Sequence, residues 1–64
     1  MQYKKFNSDI IKTDINTDGV ARFFKGEGYY SLFQTNDDKF KLVNDNSTVA
    51  GVTFDTIDEA LESL

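Results

Sequence analysis

The chain has 64 residues, 7 basic and 11 acidic, a net charge of −4, and no Cys, His or Pro. That composition rules out disulfides, a thiolate nucleophile and the commonest transition-metal ligand. The length allows one domain, residues 1–64, which buries only about 60% of the surface its unfolded chain exposes. Its stability must come from a tight aromatic core, from association, or from both.

Charge is unevenly placed. Residues 1–28 carry five bases and four acids, while residues 29–64 carry two bases and seven acids, a net of −5. An acidic chain is repelled by phosphate backbones, so no nucleic acid is expected as a partner. No stretch approaches the roughly 18 apolar residues of a membrane span, so no membrane is expected either. Nor does an apolar segment follow the basic pair Lys4-Lys5 in Met1–Ser8. A cytoplasmic protein is the expectation.

In chain order, Gln2–Phe6 is a candidate first strand, with Asn7-Ser8-Asp9 as a turn. Asp9–Ile15 alternates, Ile11, Thr13 and Ile15 against Ile10, Lys12 and Asp14, which with β-branched residues favours a second strand. A short helix capped by Ser8 or Asp9 competes, because Ile11 and Ile15 are also four apart. Asn16-Thr17-Asp18-Gly19 then reads as a hairpin turn.

The most informative stretch runs from Val20 to Asn44. It reads as three short strands separated by Gly26-Glu27-Gly28 and Asn36-Asp37-Asp38. A type II′ turn at Gly26-Glu27 pairs Lys25 with Gly28, Phe24 with Tyr29, Phe23 with Tyr30, Ala21 with Leu32 and Val20 with Phe33. A two-residue turn at Asp37-Asp38 pairs Thr35 with Phe40, Phe33 with Leu42 and Leu32 with Val43. One face then collects Val20, Phe24, Tyr29, Phe33, Phe40 and Leu42, and the other Ala21, Phe23, Tyr30, Leu32 and Val43. Both faces are apolar, unlike a meander wet on one side.

Thr48–Phe54 is a weak further strand with Gly51 as a possible bulge. The ending carries a capping box, Thr56 with Glu59 three residues later. Ile57, Ala60, Leu61 and Leu64 form one apolar stripe, and Asp55, Asp58, Glu59 and Glu62 an acidic one. Such a short helix must dock on a sheet face.

Three patterns touch on chemistry. Asp14-Ile15-Asn16-Thr17-Asp18-Gly19 matches the first half of a D-x-[DN]-x-[DN]-G calcium loop and resembles the loops of EF-hands and of β-rich calcium proteins. Position 12 of that loop holds Lys25 instead of a bidentate Glu, and a plain turn explains the same residues. No metal is therefore expected, and Asp14, Asn16 and Asp18 remain only a weak candidate. Arg22, Lys25, Lys39 and Lys41 lie among aromatics, as in single-strand nucleic-acid platforms. Core packing with solubilising bases accounts for them better. No nucleophile–base pair is visible, so neither catalysis nor a cofactor is expected.

Tyr29-Tyr30 followed by Thr56-Ile57-Asp58-Glu59-Ala60-Leu61 slightly resembles the strand–strand–helix front of HicB-type antitoxins, whose helix starts with a T-x-x-E-A-L run. The Pro-containing loop that precedes the family's helix is missing, and the run is a common helix start, so no membership is assigned.

The expected fold is α+β: an antiparallel meander of four to six strands, with one C-terminal helix on the face of Val20, Phe24, Phe33, Phe40 and Leu42. The expected function is a non-enzymatic binding or assembly module. It would be homodimeric through the second apolar face, where Phe23, Tyr30, Leu32 and Val43 would bind the partner, or else bind another protein. The alternative is an acidic inhibitor of the phage type, whose Asp55, Asp58, Glu59 and Glu62 occupy a basic groove of a host protein.

Overall fold

The computed structural model describes residues 2–48 and 50–64. The fold is α+β: strands β1 (Lys4–Lys5), β2 (Val20–Lys25), β3 (Gly28–Gln34), β4 (Phe40–Asn44) and β5 (Val52–Phe54), with helices α1 (Ser8–Asp18) and α2 (Ile57–Glu62). The strands form one sheet in the order β1-β2-β3-β4-β5. β2 to β5 are an antiparallel meander, but β1 runs parallel to β2, so the chain opens with a β-α-β crossover.

The segment read as a second strand is the helix α1. Its caps explain why. The Asn7 side chain accepts hydrogen bonds from the backbone N–H groups of Asp9 and Ile10, at 3.0 and 3.1 Å, taking up two of the donors a helix start leaves unpaired. At the other end Gly19 adopts a left-handed φ of 79° and donates its N–H to the Ile15 carbonyl at 2.8 Å. This is the glycine C-cap, and the Asp18-Gly19 pair read as a hairpin turn is a helix stop. Ile11 and Ile15, four apart, bury one face of α1 against the sheet.

The first hairpin has the expected register, from Val20 opposite Phe33 to Lys25 opposite Gly28. Gly26 has φ +59°, as the first position of a type II′ turn requires. The second hairpin differs by one residue: Leu32 faces Leu42, Phe33 faces Lys41 and Gln34 faces Phe40. Its loop is Asn36-Asp37-Asp38, with Asp38 left-handed at φ +62°. A two-residue Asp-Asp turn of type I′ would need positive φ at both positions, whereas a three-residue loop needs it once. Thr35 closes the loop, donating its N–H to the Lys39 carbonyl at 2.7 Å and its hydroxyl to the Asp37 carboxylate.

A one-residue slip exchanges the faces of a whole strand. Leu42 and Phe40 therefore join Ala21, Phe23, Tyr30 and Leu32, while Lys41 and Val43 join Val20, Arg22, Phe24, Tyr29, Ser31 and Phe33. Both helices lie on the first of these faces. Ile11 and Ile15 of α1 and Ala60 and Leu61 of α2 pack with Ala21, Phe23, Leu32 and Leu42 as the buried core. Phe23 and Leu32 have 0% exposure. The expectation that the helix covers Val20, Phe24 and Phe33 is thus overturned, although Phe40 and Leu42 do lie on the helix side. The physical reason is the cross-strand pair Arg22–Ser31, which puts two polar side chains in the middle of the other face.

The C-terminal helix starts as expected, with the Thr56 hydroxyl accepting from the Glu59 N–H at 3.1 Å. The preceding strand is shorter than the expected Thr48–Phe54: only Val52–Phe54 pairs with β4, and Val49 lies outside the described residues.

Two stability predictions follow from the caps and the core. Leu32→Ala should cost about 2–5 kcal/mol, since a fully buried leucine is replaced by a cavity. In a domain this small, each kcal/mol lowers Tm by about 4–8 °C, so thermal denaturation should show a fall of about 8 °C or more. Asn7→Ala should cost only about 1 kcal/mol.

Candidate functional site

The sheet face away from the helices is covered by neither of them. Strand alternation and register place Val20, Arg22 and Phe24 of β2, Tyr29, Ser31 and Phe33 of β3, and Lys41 and Val43 of β4 on it. Lys5 pairs with Phe24 and shares the same side. Tyr29 is 43% exposed, and Val20, Phe24, Phe33 and Val43 are half-buried. Phe24 and Tyr29 are tilted neighbours, with ring centroids 6.1 Å apart.

One end of this face is organised by Asp45. Its carboxylate accepts from the Tyr3 hydroxyl at 2.6 Å and from the Ser31 hydroxyl at 2.7 Å. The Tyr3 ring meets Tyr29 edge-on at 5.1 Å. The N-terminal strand is thereby fastened to the loop after β4. The hydrogen bond to Asp45 pushes the Tyr3 phenol above its ordinary value, and desolvation and the charge of Asp45 act the same way.

The residues expected to bind a partner are dispersed by the slipped register. Phe23 and Leu32 are core, Tyr30 is partly buried against that core and stacked on Phe23 at 5.6 Å, and Val43 is on the opposite face. The patch drawn from the sequence is therefore split between two faces. Its signal was available, because Arg22 and Ser31 interrupt the face that was assigned to the core.

The half-motif Asp14, Asn16, Asp18 is on α1 and in its C-cap region, where helical spacing turns Asn16 away from the side shared by Asp14 and Asp18. Asp14 is engaged with Lys4 Nζ at 3.0 Å. Among the described residues no group of three acidic side chains is close enough to share a metal ion. The acidic stripe of α2 is partly neutralised from within. Lys39 Nζ is 2.5 Å from Asp55, and Lys12 Nζ of α1 is 2.7 Å from Asp58, joining the two helices. These hydrogen-bonded carboxylates raise both lysines above their ordinary values. Glu59 and Glu62 are exposed.

Of the four bases set among aromatics, Arg22 and Lys41 share the open face. Lys25 lies on the helix side, its Nζ 4.8 Å from the Phe6 ring centroid, and Lys39 is held by Asp55. Among the described residues no helix is long and apolar enough to cross a membrane. No protein-family model matches this chain, and no curated protein or solved structure is significantly similar to it.

Two solution measurements test this surface. A raised Tyr3 value means that its contribution is complete below the ordinary value of 10.0 and is lost as pH rises through the folded value. A tyrosinate absorbance titration should therefore contain a component above pH 10 that Tyr3→Phe removes. Saturating calcium should leave Tm unchanged. Binding at 100 times Kd would add about 2.7 kcal/mol, and a corresponding Tm rise abolished by Asp14→Ala would overturn the helical reading of these residues.

Proposed function

We propose that the chain is a small non-enzymatic binding module that pairs with a second copy of itself through the open face of the sheet. The observation that supports this is the row Val20, Phe24, Tyr29, Phe33 and Val43 on a face that neither helix covers. A two-layer domain of this size spends both of its helices on one side, and apolar groups left on the other side gain by leaving water. A twofold axis would set this surface against itself and supply a ready-made match. The stems of Lys5, Arg22 and Lys41 add apolar area, provided that their charged heads stay hydrated.

An acidic mimic that fills a basic groove through Asp55, Asp58, Glu59 and Glu62 has less to stand on, because Lys39 and Lys12 already hold two of the four carboxylates. A cytoplasmic site of action suits either role.

The charge on the face gives the dimer a distinguishing property. Bringing two copies together juxtaposes like charges, so added salt should tighten the association by screening them. Light scattering behind size exclusion, over a range of concentrations, should report a dimer that Phe33→Asp converts to a folded monomer. Tyr29→Lys, at the more exposed position, should do the same and guards against a variant that fails to fold. A wild-type chain that stays monomeric at millimolar concentration refutes the proposal, as does a dimer that both variants leave intact.

A further inference from the structure

The two edges of the sheet are treated differently. The outer strand on one side, β1, is two residues long and consists of Lys4 and Lys5, both exposed; such charges are a standard defence against an added strand. The outer strand on the other side, β5, is Val52-Thr53-Phe54, with no charge and no Pro. It pairs inward with β4 and, among the described residues, meets no further strand. Val52 is 56% exposed, more than any other large apolar side chain described.

Beside this edge the helix layer is incomplete. Helix α2 is only six residues long and packs on β4 and β5, leaving a cleft of about 460 Å³ where it ends. The lining is mostly apolar, with Tyr30, Leu42, Val52, Phe54 and Leu64 foremost, and Asn44, Ser47 and Ser63 add polar groups. The setting is acidic on balance: Lys39 and Lys12 hold Asp55 and Asp58, and α2 adds the exposed carboxylates of Glu59 and Glu62.

We infer that β5 is a docking edge for an extended, basic-flanked segment of a partner protein, which adds as a sixth strand and places an apolar side chain in the cleft. Main-chain hydrogen bonds to β5 supply the pairing, and the cleft supplies selectivity for every second side chain. The charge pattern selects the occupant. A second copy pairing β5 with β5 would bring the Glu59 and Glu62 carboxylates of two α2 helices together, whereas a segment flanked by Lys or Arg is attracted to them. The inference concerns the edge and the helix side of the sheet, and it does not depend on what covers the open face.

The probe is a capped heptapeptide, KVTVTVK, with EVTVTVE as its charge-reversed control, added to the uniformly ¹⁵N-labelled full chain. The lysine-flanked peptide should shift the amides of Val52, Thr53 and Phe54, protect them from hydrogen exchange, and bind at least about tenfold tighter than the control at low salt. Val52→Lys should weaken binding by a similar factor, and Val52→Thr, which keeps the strand propensity, should preserve the fold and the edge shifts. Absence of shifts at millimolar peptide, shifts confined to Phe24, Tyr29 and Phe33, or equal binding of both peptides would each overturn the inference. So would a peptide-free dimer in which the β5 amides are already protected.

Discussion

Phe23 and Leu32 hold the molecule together. They lie on the adjacent strands β2 and β3, neither is exposed, and α1 and α2 both converge on the cluster around them. Ala21 beside them is small enough for α1 to come close to the sheet, and Phe6 closes the flank with its ring 5.7 Å from Phe23. The burial of these few groups has to support the whole chain, since 64 residues without a disulfide leave little in reserve. The Lys12–Asp58 pair between the helices is exposed and adds little to this.

Much of this arrangement was legible in the sequence, and the exceptions have specific physical causes. The first hairpin was readable because a glycine at the first turn position and good cross-strand pairs agreed on one register. The C-terminal helix was readable because cap and apolar stripe coincide at Thr56 and Ile57. Helix α1 was not, since Ile11, Thr13 and Ile15 satisfy a period of two as well as Ile11 and Ile15 satisfy one of 3.6. Asn7 and Gly19 decide between them through caps that alternation does not register. The parallel pairing of β1 was out of reach as long as α1 was read as a strand, because an antiparallel meander has no crossover helix.

The open face was misassigned for a different reason. In the expected register Phe24, Tyr29, Phe33 and Phe40 share the face assigned to the core, but what decides a core is the cost of its worst member. Burying Arg22 without a partner would cost more than Phe24 and Phe33 could return. The slipped second hairpin compounds the error, since Asp38 takes the left-handed position that a Gly would have advertised. Together these two residues decide which side of the sheet the helices cover.

The distribution of charge limits what the net value of −4 says about partners. The open face carries Lys5, Arg22 and Lys41 against the one carboxylate of Asp45, a net of +2, so the remaining four bases and ten acids sum to −6. The molecule measures 29 × 24 × 22 Å, whereas electrostatic influence decays over about 10 Å at 0.1 M salt. A group approaching the open face therefore responds mainly to local bases, and one approaching β5 and α2 to local acids. The acidity inferred from composition therefore lies outside the open face, in the hairpin loops and on the helices, and the two sides of the sheet differ in the sign of their local charge.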